Sequence, residues 1–403
     1  MASASRSLKD SKVDEVNKEK KYTMETINYT KRIGHLFEKV VDIDNIEAAI
    51  KNAAKRKSRR PSVKRILDDV PGYALKIQEM LVNQEWAPHS YTIKSIYDGI
   101  KKKKRDIAVP RFYPDQCIHH AFIQVFKQVV EHSSYEQSHG CVPGKGTDGA
   151  KKSIERWIKN DPKHTKYVGK LDVEKCYPNI SHEVLRKKLE KRIKDKKFIW
   201  LAFIIIASYQ QPLVTGERML PEVDAVGIPV GLYTSPWFLN FFMTDLDHKI
   251  ASECGIAHSV RYVDDIILFD NNKKRLHKAV RFIQKELGDM RLKMKYNWQI
   301  FPLAKRPLDF LGFLFHKGYT TIRKSIMIRI SRKAKTVQKQ EEAAGYVSVT
   351  NASGMISYMG YIYHTDSIEF RDKYIKPFVN IKKLKGVISN ENRKSHSTAC
   401  CAA

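Results

Sequence analysis

The chain has 403 residues, enough for two or three sub-domains around a sizeable core, and its 42% hydrophobic content is that of a folded globular protein. Its 73 basic and 44 acidic residues leave a net charge of +29, which calls for a polyanionic partner such as nucleic acid or an anionic surface. No apolar stretch is long enough to span a bilayer, no apolar signal core follows the N-terminus, and six scattered cysteines make no zinc or disulfide framework. A reduced, cytoplasmic setting fits these features, and Cys400-Cys401-Ala402-Ala403 lacks the aliphatic centre of a prenylation box.

In chain order, residues 1–30 are charged and poor in apolar side chains, which suits a flexible tail. From Ile46 to Arg65, eight Lys and Arg residues face Glu47 as the single acid, a surface suited to a phosphate backbone. The run Lys101-Lys102-Lys103-Lys104-Arg105 then feeds Ile107-Ala108-Val109, which predicts a β-ribbon with a cationic tip. Residues 115–130 read as a helix on the stripe Ile118, Phe122, Val125 and Val129, with His119 and His120 as packing or surface residues. His139 to Ala150 is a glycine-rich loop around Gly144-Lys145-Gly146, without the Ser or Thr a Walker loop needs after its lysine.

Lys166 to Val173 is strand-like and ends in Asp172, which alternation places on the face of Val168 and Lys170. Ser181 suits the N-cap of a helix carrying Leu185, Leu189 and Ile193, and Phe198 to Tyr209 suits a buried helix. Gly227-Ile228-Pro229-Val230-Gly231 leads to Ser235-Pro236, a natural N-cap and first residue for an apolar helix from Trp237 to Leu246.

The most informative stretch is Ser259 to Phe269, where two apolar arms flank Asp264-Asp265. Asp-Asp is poor strand material between β-branched and aromatic residues, so a hairpin with the acids at its turn is predicted. Two carboxylates about 4 Å apart repel by about 1 kcal/mol in water and about 4 near a protein surface. A solvated turn is the bland alternative; with Asp172 alongside, three carboxylates instead converge on one spot, as two-metal phosphoryl transfer requires. Beyond the hairpin, Lys274 to Leu287 reads as a helix on Leu276, Val280, Ile283 and Leu287, and Thr321 to Lys335 as a basic stretch.

The Gly-Lys-Gly loop, Asp172, the Ser235-Pro236 segment and Tyr262-Val263-Asp264-Asp265, in this order over roughly residues 50 to 385, resemble the reverse transcriptases of bacteria and phages. The resemblance implies an α+β fold with right-hand polymerase architecture: fingers over 31–165 with a further part around 185–225, a ferredoxin-like palm with an antiparallel sheet over 166–320, and a helical thumb over 321–387. A disordered tail over 388–403 completes the reading, with no RNase H or endonuclease domain appended.

It further implies RNA-directed DNA synthesis with Asp172, Asp264 and Asp265 as catalytic residues. Those three and the Val173 carbonyl would hold two Mg²⁺, with Mn²⁺ as a substitute. Arg105, helped by a lysine of the 101–104 run, would grip the triphosphate, with Lys145, Tyr177, Val230 and Gly231 around the nucleotide. Tyr177 stands where the family carries a steric gate against the ribose 2′-hydroxyl. Leu311-Gly312-Phe313 resembles the primer-grip turn, with Arg323 and Lys324 as primer or template contacts, and Asn297 to Pro302 stands where relatives place a lysine near the nucleotide.

Val230 stands where most reverse transcriptases carry glutamine. An aliphatic residue there is similar to diversity-generating retroelements, which misincorporate opposite template adenine, although that branch ends the motif in Ser-Gln. The partners implied are template RNA, primer or cDNA, dNTPs and a small basic helical accessory protein. The alternatives are a retron-type or phage-defence reverse transcriptase, or an inactive RNA-binding protein with the same fold.

Overall fold

The computed structural model describes residues 32–98, 103–208 and 225–400. The expected N-terminal tail, most of the ribbon tip with Lys101 and Lys102, and residues 209–224 of the inserted part lie outside the described residues.

The fold is α+β, with three antiparallel sheets and a helical C-terminal portion. Helices α1 (Leu36–Val41), α2 (Ile43–Ala54), α3 (Pro61–Leu67) and α4 (Val70–Val82) open the described chain. The basic run is thus split between two helices: α2 ends at Ala54 and Pro61 starts the next, where a proline is tolerated. Within it, Glu47 pairs with Lys51 one helical turn away. The ribbon β1 (Thr92–Asp98) and β2 (Lys103–Val109) follows in antiparallel register. Helix α5 (Cys117–Ser133) starts two residues later than its stripe suggests, behind a π-type turn over Phe112–Gln116, and buries Ile118, Phe122, Val125 and Val129.

After α6 (Gly146–Asn160), strand β3 (Tyr167–Asp172) enters the main sheet, followed by α7 (Cys176–Asn179), α8 (His182–Arg192) and α9 (Lys196–Ala207). The Ser181 hydroxyl accepts the Val184 amide at 3.3 Å, the predicted cap of α8. Helix α10 (Ser235–Glu253) corrects the Ser235 expectation by one position: Thr234 is the cap residue. The Ser235 hydroxyl donates instead to the Pro229 carbonyl at 2.5 Å, closing the preceding loop, and α10 continues past Leu246 because Ile250 still faces the core.

Strands β4 (His258–Tyr262) and β5 (Asp265–Asp270) form the predicted hairpin, and α11 (Lys273–Asp289), capped by Asn272, leads to β6 (Gln299–Pro302). The sheet order is β4-β5-β3-β6, so the strands of Asp172 and Asp265 are direct neighbours. One face of this sheet sends Leu171, Ile266 and Leu268 into the main core; the other sends Val168, Val260, Ile267 and Phe269 into a second core. Burial on both faces is why β5 reads as an unbroken apolar run.

The second core also receives Phe310, Phe313 and Phe315 from the small sheet β7 (Leu308–Phe310), β8 (Phe313–Phe315) and β9 (Thr320–Ile322). Helices α12 (Lys324–Ala344), α13 (Val349–Tyr363), α14 (Ile368–Tyr374) and α15 (Ile381–Cys400) share a third core. Helix α15 continues past residue 388, where the sequence suggested a disordered tail, and Leu384, Val387 and Ile388 supply the apolar stripe that starts it. No helix among the described residues is long and apolar enough to cross a membrane.

Candidate active site

Register builds the site. Asp172 lies directly opposite Asp265 across β3 and β5, and Tyr262 of β4 lies opposite Asp265 on its other side. Opposed residues share a sheet face, so Tyr262, Asp265 and Asp172 form a row across three strands, with Lys170 two residues behind Asp172. Asp264 occupies the two-residue turn beside them, after Val263 at φ 60°. Its carbonyl accepts the Val173 amide at 3.1 Å, which ties the turn to the end of β3.

The acids are held close in poor solvation. Burial lifts Asp265 above the ordinary carboxylate range, the charges of Asp264 and Asp172 add to it, and together they push it up to about 6 against the pull of Lys170 and Lys295. Asp264 is also raised, chiefly by burial and then by Asp172, while Lys295 and Arg105 pull it down. Asp172 Oδ2 is ion-paired with Lys295 Nζ, and Asp172 Oδ1 is buried without a partner.

An orphaned carboxylate oxygen beside two desolvated acids fits a hard divalent cation, which takes oxygen ligands and relieves the repulsion. Among the described residues, no three His, Cys, Asp or Glu side chains are gathered into a ready-made cage. Mg²⁺ commonly takes only one or two carboxylates together with substrate phosphates, so this donor set remains suitable.

Arg105, on β2 opposite Ile96, stands near enough for its charge to act on Asp264. Tyr177 is part-buried, its phenol pushed up by burial with Cys141 and Asp264 close by. The 227–236 loop docks on the ribbon: the Val230 carbonyl accepts the Ala108 amide at 2.8 Å. Gly231, at φ 106°, presses so close that a Cβ would stand 2.9 Å from Ile107 Cβ. Lys145 is turned elsewhere, its ammonium donating to the Glu136 carbonyl at 2.7 Å and the Tyr135 carbonyl at 3.4 Å, so here it closes its own loop.

Leu311 and Gly312, both at positive φ, make the two-residue turn between β7 and β8. Behind it, Arg323 donates to Asp309 Oδ1 at 2.7 Å, while Lys170 Nζ donates to the Asp309 carbonyl at 2.6 Å. Lys170 therefore links the carboxylate row to this turn, and Lys324 is exposed at the start of α12. The sequence reading missed Lys295; the signal was present, since it lies just before the 297–302 segment where a lysine was sought.

The chain belongs to the reverse transcriptase (RNA-dependent DNA polymerase) family, whose model matches residues 94–315, just over half of it. It is similar to the group II intron-encoded protein LtrA of Lactococcus lactis subsp. cremoris, at 27% identity over 192 residues, covering 46% of this chain and 30% of that protein. It is also similar to an uncharacterized 91 kDa protein in the cob intron of Schizosaccharomyces pombe, at 29% identity over 149 residues, covering 37% of this chain and 17% of that protein. The chain thus spans less than a third of the length of these relatives. Among solved structures, apo telomerase from Candida tropicalis aligns with a TM-score of 0.47 at 13% identity, covering 77% of this chain and 58% of that one.

Proposed function

We propose that this chain copies an RNA template into DNA by metal-assisted nucleotidyl transfer at Asp172, Asp264 and Asp265. The observation that carries the reading is the row of Asp172 and Asp265 across neighbouring strands, with Asp264 at the adjoining turn and Asp172 Oδ1 left without a partner. Bound Mg²⁺ would lower the pKa of the primer 3′-hydroxyl and offset charge on the triphosphate. The three carboxylates and the Val173 carbonyl are the ligands offered by this chain. Arg105 binds triphosphate oxygens through its fork, and pyrophosphate leaves as the new phosphodiester bond forms. Tyr177 limits the space beside the sugar, so that dNTPs are favoured over NTPs.

In this reading the ribbon and first helices act as fingers, the β4-β5-β3-β6 sheet as palm, the Leu311-Gly312 turn as primer grip and residues 321–387, from α12 into the start of α15, as thumb. The +29 charge supports an RNA–DNA partner. A primer-extension assay on an RNA template tests it: Mg²⁺-dependent products are expected from the wild type and none from Asp264→Ala. Equal activity in both, or none in the wild type, refutes it.

A finer reading concerns fidelity. Val230 offers the nucleotide an aliphatic side chain while its carbonyl is committed to the ribbon, so polar orientation of the base pair is reduced. We read this as error-prone copying of the diversity-generating kind. Sequencing the cDNA tests it: errors concentrated opposite template adenine support it, and faithful or untemplated product contradicts it.

A further inference from the structure

Beneath the carboxylate row, on the opposite face of the sheet, lies a buried ion pair. Arg261 of β4 and Asp247 of α10 are each 3% exposed. Arg261 Nε donates to Asp247 Oδ1 and Oδ2 at 2.7 and 2.9 Å, and Nη2 donates to Asp247 Oδ2 at 2.7 Å and to the Ser138 hydroxyl at 2.8 Å. Nη1 donates to Asn240 Oδ1 at 3.3 Å and to the Val263 carbonyl at 2.8 Å. All five guanidinium N–H groups therefore have acceptors. The backbone is fixed as well: the Arg261 amide donates to the Gln137 carbonyl at 3.0 Å and its carbonyl accepts the His139 amide at 2.9 Å.

The bond to Val263 carries the inference. Val263 sits at φ 60°, a left-handed conformation that a β-branched residue adopts only when its surroundings impose it. It immediately precedes Asp264. A buried ion pair is a poor device for stability alone, since apolar residues of similar volume often serve as well. Apolar residues have no donor for the Val263 carbonyl.

We propose that Arg261, locked by Asp247, is a positioning residue that holds the Val263–Asp264 turn in its left-handed form and so fixes where the Asp264 carboxylate stands. This rests on the nucleotidyl-transfer reading and deepens it. With every guanidinium donor taken by a protein acceptor, Arg261 acts through the turn.

The test replaces both charges together, Arg261→Met with Asp247→Leu, so that neither is left unpaired. Melting temperature, kcat and KM for dNTP on an RNA template are measured. Mn²⁺ binding is followed by electron paramagnetic resonance with primer-template and a non-reactive dNTP analogue. The expected result is a folded protein with kcat at least about tenfold lower, KM for dNTP little changed and Mn²⁺ half-saturation raised. Adding Val263→Gly, which takes the left-handed turn freely, restores part of both kcat and Mn²⁺ affinity. A folded double variant with wild-type kcat and Mn²⁺ binding overturns the proposal, as does a folded triple variant with no recovery. Should the double variant fail to fold, Arg261→Lys, which keeps the charge but not the fork, gives the same readouts with the same expected and contrary results. A wild type without Mg²⁺-dependent incorporation would instead refute the underlying reading.

Discussion

Gly140 gives the most direct handle on the geometry of the hairpin. A Cβ added there would stand 2.5 Å from the Val263 amide nitrogen and 2.6 Å from Val263 Cγ2. The Gly140 carbonyl is meanwhile held by Asn240 Nδ2 at 2.7 Å, so the glycine is backed against α10 and cannot easily withdraw. Ordinary contact begins at 3.4 Å, so in Gly140→Ala the turn bearing Asp264 must retreat by about 1 Å. A misplacement of that size costs on the order of 100-fold in rate, or about 2.7 kcal/mol of barrier. The overpacking costs about 1–3 kcal/mol of stability, which a 403-residue chain with three cores tolerates. Single-turnover primer extension on an RNA template reads the effect: kcat falls about 100-fold while the melting curve shows a folded protein. A folded Gly140→Ala protein within about threefold of wild type would refute the reasoning, because the turn would then be indifferent to a shift of that size.

Other predictions follow from particular side chains. Asp172→Asn should fold, because it removes one of three mutually repelling acids, yet lose Mg²⁺-dependent incorporation; retained incorporation contradicts its role. Tyr177→Ala should raise NTP use relative to dNTP by about tenfold or more in competition assays, and an unchanged ratio would remove the gate. His119 is fully buried with neither ring nitrogen partnered, and burial, aided by His120, lowers its pKa from 6.5 to about 3. The sign follows from linkage: the unfolded chain takes the proton first, so this contribution is complete above pH 6.5 and is lost as pH falls toward 3, by about 1.4 kcal/mol per pH unit. His119→Leu should therefore flatten the fall in urea stability between pH 7 and about pH 5; an unchanged pH slope contradicts this.

Much of this architecture is legible from local chemistry. The 259–269 hairpin announces itself because two acids interrupt an apolar run, and α5, α8 and α11 follow from stripes at helical spacing. The Leu311-Gly312 turn is expected only from the resemblance to reverse transcriptases. What stays hidden depends on distant parts of the chain. Nothing around Arg261 foretells that Asp247 waits on another element, and Lys145 in a glycine-rich loop looks like a phosphate ligand until the carbonyls of Tyr135 and Glu136 come within its reach. Ser235 has the chemistry of a cap, but its hydroxyl donates to the nearby Pro229 carbonyl instead. Helix α15 continues through polar residues because Leu384, Val387 and Ile388 have a core to meet, which composition alone does not reveal.

We propose a common metal site for Asp172, Asp264 and Asp265. It is tested most directly by a crystal structure with Mn²⁺, primer-template and a non-reactive dNTP analogue, using the anomalous signal of the metal. Peaks are expected at about 2.0–2.2 Å from oxygens of Asp172 and Asp264, with phosphate oxygens completing the shell. A structure with nucleotide bound but the metal elsewhere, or with Asp172 still paired only to Lys295, would contradict it.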